Sequence, residues 1–187
     1  MKKIFEIYPQ MAYYHDPLFT KKRFVPYAMI SCKKNCENKC IKTCNRGFRV
    51  SSNGTDMFSV DQIAKYDSIN IVVGGSTVFG VGASNNQNTI PSLLIKKTDS
   101  IWLNFGIRAG NSFSEYIHLI NLLHMAKKID QIIFLSGLND LYLSFLYNNL
   151  SEFDPGFFSD KKTNSNSNSE EDEHCNIEEE YNIIKSK

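Results

Sequence analysis

Three short apolar runs punctuate the chain, each ending abruptly in small or amide-bearing residues. The first is Ile69-Asn70-Ile71-Val72-Val73, followed by Gly74-Gly75-Ser76 and then Thr77-Val78-Phe79-Gly80. The second, Trp102-Leu103-Asn104-Phe105, leads into Gly106-Ile107-Arg108-Ala109-Gly110-Asn111-Ser112. The third, Gln131-Ile132-Ile133-Phe134-Leu135, leads into Ser136-Gly137-Leu138-Asn139-Asp140. Runs of this length bounded by glycine predict buried strands that end in tight turns. Their spacing of about thirty residues predicts βα units, whose parallel strands bring their C-terminal ends to one sheet edge. Gly74 and Gly75 are expected to supply the backbone freedom for a sharp exit from the first strand.

The intervening segments read as helices. Residues 61–66 predict a short one. Residues 88–97 predict another, with Thr89 as cap and Pro91 in the first turn. Over 112–128 the apolar residues Phe113, Ile117, Ile120, Leu123 and Met125 approximate one face. Glu115 comes early and Lys127-Lys128 late, which suits the helix dipole. Residues 140–150 predict a last helix whose aromatic side chains would wall a cleft.

The pattern is weaker at both ends. Residues 1–45 form an aromatic, proline-broken lead-in, expected to pack across the rest. Within it Cys32, Cys36, Cys40 and Cys44 are spaced C-x3-C-x3-C-x3-C. On a continuous helix that spacing spreads the thiols over about 18 Å at 1.5 Å per residue, too far to share one metal ion. The lysines between them suggest a polar, exposed stretch bearing reduced thiols and no metal. Residues 46–155 form the α/β domain. Residues 156–187 form a polar tail, including Lys-Lys-Thr-Asn-Ser-Asn-Ser-Asn-Ser-Glu-Glu-Asp-Glu, that cannot bury enough apolar area to fold alone. A short helix is expected over 178–185.

Composition changes this picture little. The chain has 187 residues, 42% of them hydrophobic, enough for a single sizeable core. Its net charge of +1 gives no electrostatic case for nucleic-acid or membrane partners. No apolar run has the length of a membrane span or signal core, so the cytoplasm is the expected compartment.

Chemistry concentrates at the three strand ends. Ser76 is placed to expose its hydroxyl beside unpaired amides, as a nucleophile with an oxyanion site requires. Gly75 to Gly80 has the spacing of a phosphate-binding loop, but Val81 and Gly82 stand where Lys and Ser/Thr belong. A helix cap is the structural alternative for Ser76. With Gly110 and Asn139 at the other two ends, a hydroxyl, a backbone amide and a carboxamide could surround one point.

Gly-Gly-Ser-Thr-Val-Phe-Gly-Val-Gly-Ala-Ser, Asn-Phe-Gly-Ile-Arg-Ala-Gly-Asn-Ser and Ser-Gly-Leu-Asn-Asp resemble, in order, the first three blocks of the SGNH (GDSL-like) hydrolases. The resemblance covers about residues 46–150. It implies an α/β three-layer, flavodoxin-like sandwich with a parallel sheet. It also implies Ser76 as nucleophile, with Gly110 and Asn139 completing the oxyanion hole; Gly106 is the weaker alternative to Gly110. The implied activity is ester hydrolysis, on O-acyl groups of a surface polysaccharide or on a small ester, with no metal or organic cofactor. In related polysaccharide-associated proteins a Gly-Phe-Arg lead-in precedes the first strand; here it is Gly47-Phe48-Arg49. Arg49 would hold an anionic sugar or form a surface salt bridge.

The fourth block of that family, D-x-x-H, supplies the base and is not found. Asp172-Glu173-His174 is one residue too short, and His15, His118 and His124 lie outside any such motif. With three strands where the resembled fold has about five, the expectation is a C-terminally shortened member. A catalytically impaired binding or scaffold protein is the rival reading, and a metal module on the four cysteines a second.

Overall fold

The computed structural model describes residues 2–16 and 22–147. The Asp172-Glu173-His174 motif, the polar tail over 156–187 and the helix expected over 178–185 lie outside the described residues.

The three apolar runs form a parallel sheet. Strand β5 (Ile69–Gly74) is central, with β6 (Trp102–Gly106) on one side and β7 (Ile129–Leu135) on the other. Gly74 stands in register with Gly106 and with Leu135, so all three strands end level at the same edge. Ile69, Ile71, Val72 and Val73 are fully buried, which accounts for the unbroken apolar run. Two short antiparallel pairs precede the sheet: β1 (Lys22–Val25) with β2 (Met29–Cys32), and β3 (Ser51–Ser52) with β4 (Met57–Phe58).

Helices flank this sheet, giving a mixed α/β fold. After α1 (Lys2–Ile7) come α2 (Ser76–Phe79), α3 (Ile90–Thr98), α4 (Ser112–Leu123) and α5 (Leu138–Tyr147). The turn over 61–66 is a 3-10 helix, Val60–Lys65, whose first N–H groups are capped by Ser59. Thr89 precedes α3 as expected, but its hydroxyl bonds to Ser92 Oγ and the Asn86 carbonyl rather than capping an amide.

Helix α4 buries a different face from the one its apolar spacing predicts. Ser114, Glu115, His118, Leu119 and Leu122 are buried, while Phe113 and Ile120 are 46% and 40% exposed. His118 is matched by partners from distant segments: its Nε2 lies 2.7 Å from the Ile30 carbonyl and its ring meets Phe48 edge-on. Lys127 and Lys128 fall beyond the helix and pair with Asp67 and Asp130 instead of serving its dipole.

The cysteine segment is neither helical nor exposed. It forms irregular chain with isolated bridges, Glu37 to Lys42 and Thr43 to Arg49. Cys32, Cys36 and Cys40 pack with Tyr14, Ile41 and Phe79 in a small apolar cluster, and Cys44 joins the main core. The lysines that suggested exposure alternate with cysteines in a chain without helical period, so their polarity says nothing about the thiols. Among the described residues no group of three or more His, Cys, Asp or Glu is placed to hold a metal ion. Nor is any helix there long and apolar enough to cross a membrane.

Among the described residues, the outer edge of β7 is unpaired. Ile132, Ile133, Phe134 and Leu135 are all more than a third exposed.

Candidate functional site at the sheet edge

The level strand ends put three turns side by side. The first is Gly74-Gly75-Ser76. Neither glycine takes a positive φ, so backbone freedom is not what this turn uses them for. They are needed for space. A Cβ on Gly74 would collide with the Leu135 carbonyl, and one on Gly75 would press on Asn139 and Glu115. Helix α2 begins at Ser76 and is closed by Gly80, whose φ of 88° is the left-handed cap that glycine tolerates. The α2 backbone lies directly on β6: a Cβ at Gly106 would strike Phe79 and Val78, and Asn104 Nδ2 donates to the Val78 carbonyl at 2.9 Å. Gly106 is thus a packing residue. Ser76 is half-buried.

The second turn follows β6. The Ile107 N–H bonds back to the Gly74 carbonyl at 3.0 Å. Ala109 takes the left-handed region at φ 57°, and Gly110 sits so close over the buried Ile107 side chain that any Cβ would overlap it. Asn111 then caps α4 by accepting from the Ser114 N–H at 2.9 Å.

The third turn follows β7. Gly137, at φ 96°, starts α5 and aims Asn139 toward the second turn. Asn139 Nδ2 donates to the Gly110 carbonyl at 2.5 Å. The Cβ position on Gly75 is 3.3 Å from Asn139 Nδ2 and 3.9 Å from the Gly110 carbonyl oxygen. Gly110 and Asn139 are therefore in contact, and both border the residue that precedes Ser76.

Two acidic residues that the sequence reading did not assign to the site are also here. Asp140 accepts from the N–H and the hydroxyl of Ser112, tying α5 to the start of α4. Glu115, buried on the first turn of α4, has Oε1 3.4 Å from the Gly75 Cβ position. Burial pushes its carboxyl up to about 7, a Ser136 hydrogen bond lowers it, and Asp140 adds to the rise. A glutamate early in a helix reads as a dipole partner, so only a contact map could single it out. The Asn-Asp pair of the third turn facing Asn-Ser of the second was the one available signal for Asp140.

Arg49 neither holds an outside anion nor forms a surface ion pair. Its side chain is fully buried behind α2. Nη1 donates to Tyr14 Oη (2.8 Å) and the Gly80 carbonyl (2.7 Å), Nη2 to the Cys40 carbonyl (2.6 Å) and Nε to Asn86 Oδ1 (2.8 Å). Five rigid donors suit a ring of carbonyls as well as a carboxylate. Tyr14 also donates to the Gly80 and Ala83 carbonyls, so the N-terminal lead-in is anchored to the loop after Ser76.

The histidines do not complete the site. His118 is buried against Phe48 and Ile30, and burial depresses its basicity. His15 and His124 are exposed, His15 packing on Phe5. None of these three hydrogen-bonds to Ser76, and His174 lies outside the described residues.

No protein-family model matches the sequence, and no curated protein aligns with it significantly.

Proposed function

We propose that the chain is a serine ester hydrolase of the SGNH type, built on a flavodoxin-like sandwich. The observation that carries this reading is the meeting of Gly110 and Asn139 beside Gly75-Ser76 at one sheet edge. In this reading Ser76 Oγ attacks the acyl carbonyl. The amides of Ser76 and Gly110 and the second Nδ2 hydrogen of Asn139 stabilise the oxyanion. The serine proton passes to a base, the alcohol leaves, and water then releases the acyl group from Ser76. Substrates are small esters or O-acyl groups of a carbohydrate.

The test is hydrolysis of a short-chain aryl acetate by the wild type, Ser76→Ala, Asn139→Ala and His174→Ala. Turnover lost with Ser76→Ala and lowered about 10²–10³-fold with Asn139→Ala supports the esterase. Loss with His174→Ala as well makes His174 the base. Equal, near-background rates for all four proteins would sink the esterase.

The engagement of His118 with Ile30 favours a second reading, a scaffold that keeps the cleft without a base. A triad lacking one member retains roughly 10³–10⁴-fold catalysis over water. A slow rate that Ser76→Ala leaves unchanged and Asn139→Ala lowers would identify that case.

A further inference from the structure

Resting on the ester-hydrolase reading, we propose that Glu115 sets the charge at the turn that Gly110 and Asn139 border, admitting an oxyanion when uncharged and opposing one when ionised. The position one bond out from the Gly75 Cα lies 3.4 Å from Glu115 Oε1, 3.3 Å from Asn139 Nδ2 and 3.9 Å from the Gly110 carbonyl oxygen. The carboxyl and the proposed oxyanion donor thus flank the same turn, immediately before the nucleophile.

Glu115 is 3% exposed, and its Oε2 is buried with no hydrogen-bond partner among the described residues. The Ser136 side chain is the one neighbour there that favours its charged form. The groups facing it do not neutralise a negative charge. Asp140, from the start of α5, is itself acidic. His118, one turn along α4, is committed to the Ile30 carbonyl and disfavoured as a cation by burial. Arg108, in the turn after β6, reaches the Tyr14 carbonyl instead. An ionised Glu115 would therefore be a buried charge with no countercharge among the described residues, a costly state. Its titration at about 7 follows from that environment. Two negative charges a few ångströms apart beside a half-buried turn repel strongly, so the same ionisation would weaken oxyanion stabilisation.

Glu115 is a positioning residue in this scheme, since it acts through the electrostatics of Asn139 and Gly110. Two measurements test it. The first is the pH dependence of aryl acetate turnover for the wild type and Glu115→Gln, whose amide is a neutral isostere. The wild-type kcat should fall about fivefold from pH 6 to pH 8, as expected if the ionised form is about tenfold slower, the equivalent of one pKa unit of charge interaction, with little change in KM. Glu115→Gln should be flat over that range or rise. Superimposable profiles would overturn the proposal.

The second measurement needs no turnover and no substitution. In ¹⁵N NMR of the wild type, the Asn139 side-chain amide and the Gly75 N–H should both titrate with a midpoint near 7. Absence of that titration would overturn the proposal even if the esterase stands. Conversely, if the Asn139 and Gly75 signals titrate together but Ser76→Ala leaves turnover unchanged, the ester-hydrolase reading fails while the electrostatic coupling stands.

Discussion

The Asp140 carboxylate grips Ser112 through three hydrogen bonds: the Ser112 N–H at 3.0 and 3.2 Å and its hydroxyl at 2.6 Å. The two residues belong to different strand-end turns, and each stands within two positions of a proposed site residue. Asp140 follows Asn139, and Ser112 lies two beyond Gly110. The clamp therefore fixes the separation at which Asn139 meets the Gly110 carbonyl. It also satisfies an amide that α4 would otherwise leave unpaired at its first turn.

Asp140→Ala should lower stability by about 1–2 kcal/mol, the scale of a lost helix cap, as read from urea denaturation. It should also lower aryl acetate turnover, because Asn139 is no longer held. Asp140→Asn keeps one acceptor oxygen and should recover part of both. Unchanged turnover in Asp140→Ala would show that the clamp supports the helix alone.

Arg49 should be sensitive to conservative change. Lysine cannot reach Cys40, Gly80, Tyr14 and Asn86 together, because its ammonium is a single point rather than a fork. Arg49→Ala leaves several buried acceptors unpaired, at about 1–3 kcal/mol each. A loss of at least about 3 kcal/mol is expected, and Arg49→Lys should fall between that variant and the wild type. Denaturation midpoints decide it. A loss under about 1 kcal/mol for Arg49→Ala would mean that the loop after Ser76 rearranges freely.

The buried thiols should resist modification. Of five cysteines in the sequence, Cys32, Cys36, Cys40 and Cys44 are buried, and burial raises the pKa of Cys32, Cys40 and Cys44. Thiolate is the reactive form, so these sites should be slow. A disulfide reagent should titrate at most one thiol (five less four) quickly in the native protein and all five in denaturant. Two or more fast thiols in the native state would contradict the packing of this segment.

Glu115 should also leave a mark on stability. Its carboxyl is raised from an ordinary 4.5 to about 7, so the folded state binds the proton more tightly than the unfolded chain. The stabilisation is fully present below about pH 4.5 and is lost as pH rises to about 7. A shift of that size corresponds to about 3 kcal/mol between those limits. Glu115→Gln removes this contribution, so the difference between variant and wild type should change by that amount across the window and level off above it. A difference independent of pH would show that the carboxyl is hydrated rather than buried.

Sequence alone determined the three parallel strands and the residues in their turns. Strand β5 is apolar at nearly every position because both of its faces are covered, and that pattern is local. The glycines were equally legible as turn markers, although their role at Gly74 and Gly75 is clearance rather than left-handed geometry. The tertiary structure decided which side chains those turns face. The buried stripe of α4 runs through Ser114, Glu115 and His118 because segments from elsewhere cover it; the Ile30 carbonyl that pairs with His118 is 88 residues away in sequence. Apolar periodicity cannot register such a face, since a polar group is buried whenever a remote chain segment satisfies or surrounds it. The same physics hid Arg49, whose ring of acceptors is assembled from Tyr14, Cys40, Gly80 and Asn86, and it buried the cysteines that polar neighbours had made look exposed. Strand order, with β5 between β6 and β7, was likewise a tertiary outcome, and it is what brings Asn139 to Gly110.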